Sequence, residues 1–73
     1  MPLTVVLNGQ SRVFSTLPES PNVEDLVREL GLKLDRVAVE HNGAIANRAQ
    51  WSETRLSEGD KLEIVHFVGG GKK

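Results

Sequence analysis

The sequence predicts an α+β fold in which a mixed sheet of four to five strands carries one helix across one face. Three observations point to it. Leu3, Val5 and Leu7 alternate with Thr4 and Val6, the period of a strand with one buried face. Val23, Leu26, Val27 and Leu30 recur at i, i+3, i+4 and i+7, the period of a helix with one apolar stripe. Lys61 to Val68 is rich in β-branched and apolar residues and reads as a long final strand.

Taken in order, the first strand ends at Asn8-Gly9, two residues that tolerate positive φ and favour a tight hairpin. Ser11 to Phe14 returns as the second strand, with Val13 expected inward and Arg12 outward. Thr16 to Pro21 is expected as a loop, because Pro18 and Pro21 push the residues before them out of helical geometry. Asn22 then suits a helix N-cap, and Glu24 and Asp25 complement the positive end of the helix dipole. Glu24 and Arg28 are spaced to pair, which is worth only about 0.2–0.5 kcal/mol. Gly31 fits the position that stops the helix after no more than about three turns.

Leu32 and Leu34 lead into a third strand, Val37 to His41. Asn42-Gly43 is a second turn signal, followed by the short apolar piece Ala44-Ile45-Ala46. Asn47 to Thr54 is mostly polar and is expected to be a loop with a single helical turn. Its Trp51 is expected to plug the core beside that loop rather than to serve as a ligand platform. Ser57 to Asp60 is a tight turn feeding the last strand, where Leu62 and Ile64 face the core and Val65 and Phe67 face away. The helix stripe needs an apolar partner, and the most apolar strands, first and last, are best buried side by side at the sheet centre. A first-strand hairpin parallel to the last strand, with a helix packed across, is the β-grasp arrangement.

Composition bounds the function. The chain has 73 residues, enough for one domain with one small core. Nine Lys+Arg against ten Asp+Glu give a formal charge of −1, which argues against a nucleic-acid or membrane surface. There is no cysteine, hence no disulfide, thiolate nucleophile or thiolate metal site. His41 and His66 lie far apart without ligand spacing. No apolar run approaches the roughly 20 residues of a membrane span, and no signal-peptide pattern is present, so a cytoplasmic protein is expected. No carboxylate pair, Ser–His arrangement or Gly-rich loop before a helix suggests an internal catalytic site.

The chemistry is therefore expected in the closing Gly69-Gly70-Gly71-Lys72-Lys73. Residues 1–68 are expected to form the domain and 69–73 a thin, flexible tail, since glycine loses too much backbone entropy to order readily. Deleting 69–73 should then leave Trp51 fluorescence and the thermal midpoint almost unchanged. The α-carboxylate of a terminal glycine is a group that such a tail could offer. That group is a poor electrophile until adenylated by ATP, after which a nucleophile displaces AMP. Glycine suits the task because no Cβ blocks attack and the slim chain enters an enclosed, water-poor site. Val65, Phe67, Val6 and Ala38, with His66 at the edge, are expected to form an apolar patch that docks partner enzymes. Arg48 stays open between a partner contact and a loop cation.

Val39-Glu40-His41-Asn42-Gly43, Arg48-Ala49-Gln50-Trp51, Leu56 to Val65 and the closing His66-Phe67-Val68-Gly69-Gly70-Gly71 together carry a resemblance. The chain resembles the ubiquitin-like sulfur carrier proteins of the thiamin-synthesis type over essentially its whole length. Two features depart from that pattern: Asn47 stands where the family often has proline, and Lys72-Lys73 follow the glycine at which such carriers end. The resemblance implies a protein cosubstrate, not an enzyme, with no stably bound cofactor and with ATP used by its activating enzyme. It implies an adenylyltransferase of the ubiquitin-activating type, a cysteine desulfurase or other sulfur donor, and a thiazole synthase as acceptor. It further implies Gly71 as thiocarboxylate acceptor, preceded by Gly69 and Gly70, once a processing protease has removed Lys72 and Lys73. The alternative is a small β-grasp subunit of molybdopterin synthase or a ubiquitin-like protein modifier.

Overall fold

Two Asn-Gly turns set the registers of the sheet. In the computed structural model, which describes residues 2–66, β1 (Leu3–Leu7) and β2 (Gln10–Phe14) join at Asn8 and Gly9, with φ of 49° and 82°. β3 (Val37–His41) and β4 (Ala44–Ala46) join likewise at Asn42 and Gly43, with φ of 53° and 87°. Positive φ at both central residues matches the right-handed twist of the flanking strands. β5 (Lys61–His66) runs between the hairpins, parallel to β1 and antiparallel to β3, giving the order β2-β1-β5-β3-β4. This is the expected β-grasp sheet, with five strands.

The helix α1 (Val23–Glu29) spans two turns and is closed at both ends by its own sequence. Asn22 Oδ1 accepts from the Asp25 N–H at 2.8 Å while Asp25 Oδ2 accepts from the Asn22 N–H at 3.0 Å, a reciprocal capping box. At the other end Gly31, at φ 76°, donates to the Arg28 carbonyl at 2.9 Å and Leu32 donates to the Val27 carbonyl at 3.2 Å. That pair of bonds is a Schellman stop. Val23, Leu26 and Val27 bury completely against Val5, Leu7, Phe14, Val37, Val39 and Leu62 of the sheet, with Leu56 closing one side. Trp51, on the 3-10 turn Arg48–Glu53, is 2% exposed, and its indole N–H donates to the Ala46 carbonyl at 2.8 Å. The core-plug expectation for Trp51 holds. A second 3-10 turn, Leu34–Arg36, lies where only a connection was expected.

The expected facing of β2 is reversed. Asn8-Gly9 pairs Leu7 with Gln10, and the ladder then sets Arg12 opposite Val5 and Phe14 opposite Leu3. Opposed residues share a face, so Phe14 is buried and Val13, opposite Thr4, points outward at 62% exposure. Arg12 lies on the helix side of this edge strand with its guanidinium 5.4 Å from the Phe14 ring centroid. It stays solvated while its cation sits over the aromatic ring.

The parallel β1–β5 ladder is brief, pairing Val6 with Lys61 and Leu7 with Leu62. Asn8 then extends it. Its backbone N–H donates to the Leu62 carbonyl at 2.8 Å. Its side-chain Oδ1 accepts from the Ile64 N–H at 2.7 Å, and its Nδ2 donates to the Ile64 carbonyl at 3.3 Å. The carboxamide thus stands in for one more peptide unit of β1. The expected boundary between 1–68 and 69–73, and the expected outward facing of Phe67, fall outside the described residues.

Candidate docking face of the sheet

The helix covers one face of the sheet and leaves the other open. Strand alternation sends Val6, Val13, Ala38, Ile45 and Val65 to the open side, together with Thr4, Ser11, Glu40, Lys61 and Glu63. Ile45 is 79% exposed and Val65 60%, while Val6 and Ala38 are half-buried by their neighbours. Ala38 lies directly opposite Val65, and Glu40 opposite Glu63, with Ile45 on the far side of Glu40. The result is an apolar surface interrupted by two facing carboxylates.

Of the residues expected to dock partners, Val65, Ala38 and Val6 share this face as anticipated. His66 does not. It pairs with the buried Val37, so it belongs to the helix side, where it lines a shallow groove with Leu7, Asn8, Leu30, Leu32 and Ile64. Period two along β5 forces this, because His66 shares parity with Leu62 and Ile64 and cannot join Val65. Phe67, Gly69, Gly70 and Gly71 lie outside the described residues. Arg48 borders a cleft at the β4 end of the sheet, with Trp51, Asn47 and Asp35. Val13, Ile45 and the Glu40–Glu63 pair were not anticipated for the face. The signal for Val13 and Ile45 was the two-residue turn beside each; the glutamate pair needs the β3–β5 register.

The far end of β5 is fastened by polar contacts. Asp60 Oδ2 accepts from the Ser57 N–H at 2.8 Å and lies 2.8 Å from His41 Nε2, and its Oδ1 accepts from Asn42 Nδ2 at 3.2 Å. Asn42 Oδ1 accepts from the Lys61 N–H at 2.8 Å. Partial burial alone would push the Asp60 carboxyl up. Hydrogen bonds from His41, Ser57 and Asn42, with the charge of His41, outweigh it and hold the carboxyl below its ordinary value. This cluster fixes the Asn42-Gly43 turn against the Ser57–Asp60 turn, at the end of β5 opposite His66. It is structural in placement. Among the described residues no grouping of His, Asp and Glu could hold a metal ion. No helix among them is long and apolar enough to cross a membrane.

A mixed five-stranded sheet folded around one helix, with the last strand between two hairpins, defines the ubiquitin-like β-grasp class. Within that class the neighbours agree. A thiamine biosynthesis protein from Geobacter metallireducens superposes with a TM-score of 0.79 at 32% identity, covering 97% of this chain and 91% of that one. The sulfur carrier protein ThiS of Bacillus subtilis is 38% identical over 65 residues, covering 89% of this chain and 96% of that protein. The ThiS family model matches residues 5–71. The chain belongs to the ThiS family. A thiazole synthase from Paramagnetospirillum magneticum is 44% identical over 69 residues, which are 94% of this chain but only 20% of that protein. The chain spans about a fifth of the length of the thiazole synthases it matches.

Proposed function

We propose that this chain is a sulfur carrier for thiamin biosynthesis, acting as a protein cosubstrate through the carboxylate of Gly71. The observation that carries the proposal is the extent of the family match. It runs through all three closing glycines and stops at Gly71, leaving Lys72 and Lys73 outside it.

In the 73-residue chain the Gly71 carbonyl is bound in an amide to Lys72, so hydrolysis of that bond by a processing protease comes first. The freed carboxylate then attacks the α-phosphorus of ATP on an adenylyltransferase of the ubiquitin-activating type, releasing pyrophosphate and forming an acyl adenylate. Sulfide, or a persulfide supplied through a cysteine desulfurase, attacks the carbonyl and AMP leaves. The product is a glycyl thiocarboxylate; with a persulfide, a reducing thiol completes the release. Glycine at 69 to 71 lets the chain enter an enclosed site and exposes the carbonyl to attack. The open face, with Val65, Ala38 and Val6, gives the activating enzyme a surface to grip at the root of those glycines. The thiazole synthase relatives favour a thiazole synthase as the sulfur acceptor. ATP is consumed on the partner, and the cytoplasm, where ATP and desulfurases meet, is the setting proposed.

Intact mass after incubation with ATP, the adenylyltransferase and sulfide tests this. The chain ending at Gly71 should gain one oxygen-to-sulfur exchange, and the 73-residue chain should not. Equal yield from the mass-verified 73-residue chain overturns Gly71 as acceptor. No exchange in either form overturns the carrier role, and an adduct on a target lysine would point to a protein modifier instead.

A further inference from the structure

Given the docking role proposed above for the open face, we propose that it selects an adenylyltransferase surface centred on an arginine, seated between Glu40 and Glu63 and ringed by apolar side chains. The two glutamates are direct partners across β3 and β5, which sets their Cβ atoms roughly 5 Å apart. Like charges placed opposite each other in a sheet destabilise it. Among the described residues no ion pair relieves the repulsion: those present are Glu24–Arg28, Asp35–Arg36 and His41–Asp60. Lys61 shares the face, yet it is in none of them.

The position of the pair decides what it means. Glu63 precedes the exposed Val65 by one strand period, Glu40 follows Ala38 by one, and Ile45 lies directly beside Glu40. Any protein that covers Val65 and Ala38 also covers both carboxylates. Burying two uncompensated carboxylates would cost more than the apolar contacts return, so the covering surface must bring a cation. A guanidinium is the best fit, since its planar fork reaches two acceptors at once and is less strongly hydrated than an ammonium. An arginine in an apolar surround is also a common composition for the centre of a protein interface. A bound divalent ion fits poorly, because two carboxylates on an open sheet supply too few ligands to enclose one.

Calorimetric titration of the 73-residue chain into the adenylyltransferase tests this with Glu40→Gln, Glu63→Gln, the double variant and Val65→Asp, each at low and high salt. Each single glutamine variant should raise Kd about tenfold, and the double variant by less than the product, because both act on one cation. Their binding should also depend less on salt. Their thermal midpoints should match or exceed the parent's, since a repulsion has been removed. Val65→Asp should lose binding. If the glutamine variants bind as the parent does while Val65→Asp fails, the arginine is overturned and the docking face stands. If Val65→Asp also binds normally, the docking role itself falls, and the arginine with it. Self-association of the chain that the glutamine variants abolish would assign the cation to a second copy and overturn the adenylyltransferase as its source.

Discussion

Both faces of this sheet carry apolar side chains, and those side chains have opposite fates. Val5, Leu7, Val37, Val39 and Leu62 face the helix and are buried; Val6, Val13, Ala38, Ile45 and Val65 face the other way and are half-buried or exposed. A seven-residue helix covers only one side. Apolar character alone therefore does not separate core from surface in a strand read singly; parity with a buried neighbour does. The open side carries more apolar surface than folding needs, and the surplus is what makes it a candidate for binding.

Substitutions on matched positions of β5 should break the symmetry most sharply. Leu62→Asp buries an unpaired carboxylate in a core residue's place and should abolish the cooperative thermal transition followed by circular dichroism. Persistence of a native-like melt would mean that the helix-covered face is loosely packed. Trp51→Phe comes next. It removes the hydrogen bond to the Ala46 carbonyl and leaves a void, for an expected loss of about 1–3 kcal/mol in urea unfolding. A change near zero would show that the β4 end of the core does not depend on the indole.

A smaller, pH-bound effect should come from Asp60. Its carboxyl is held below the ordinary value of 3.8, so the unfolded chain binds the proton more readily than the folded one. The stabilisation is present above that ordinary value and is lost as pH falls through the lower, folded value. Urea midpoints at pH 6 and pH 3 should therefore fall further for the parent than for Asp60→Asn. An equal acid drop in both would relieve Asp60 of that role. The smallest effect is expected for Val65→Asp on the open side, within about 0.5 kcal/mol of the parent in the same urea titration. A loss rivalling that of Leu62→Asp would mean that this face is already covered in solution.

Element order, both hairpins, the helix with its caps and the core role of Trp51 were legible because each rests on local chemistry. Asn-Gly needs positive φ, Asn22 caps the start of the helix, and Gly31 ends it. The errors arose where facing depends on a neighbour. Val13 was placed inward on its hydrophobicity, although Leu7 inward and a two-residue turn together send Phe14 to the core. His66 is expected at the edge of the apolar patch, beside Val65 in sequence, although the parity of β5 puts it on the other side. Ile45 follows in the same way from the Asn42-Gly43 turn, whereas the facing of Glu40 with Glu63 becomes visible only when the β3–β5 register is known. The use of Asn8 as a spare peptide unit leaves no trace in composition or period.

That splice has a mechanical consequence. On the proposed mechanism, a pull on the closing glycines enters β5 at His66 and its load passes along the strand toward Lys61. The load falls in shear on the bonds to β3 on one flank and, on the other, on the two pairs with β1 and the Asn8 carboxamide beyond them. Bonds aligned this way share the force instead of opening one after another. Asn8 lengthens the gripped portion of the weaker flank by one rung without lengthening the hairpin. The strand can thus act as a tether under tension while the domain behind it stays folded.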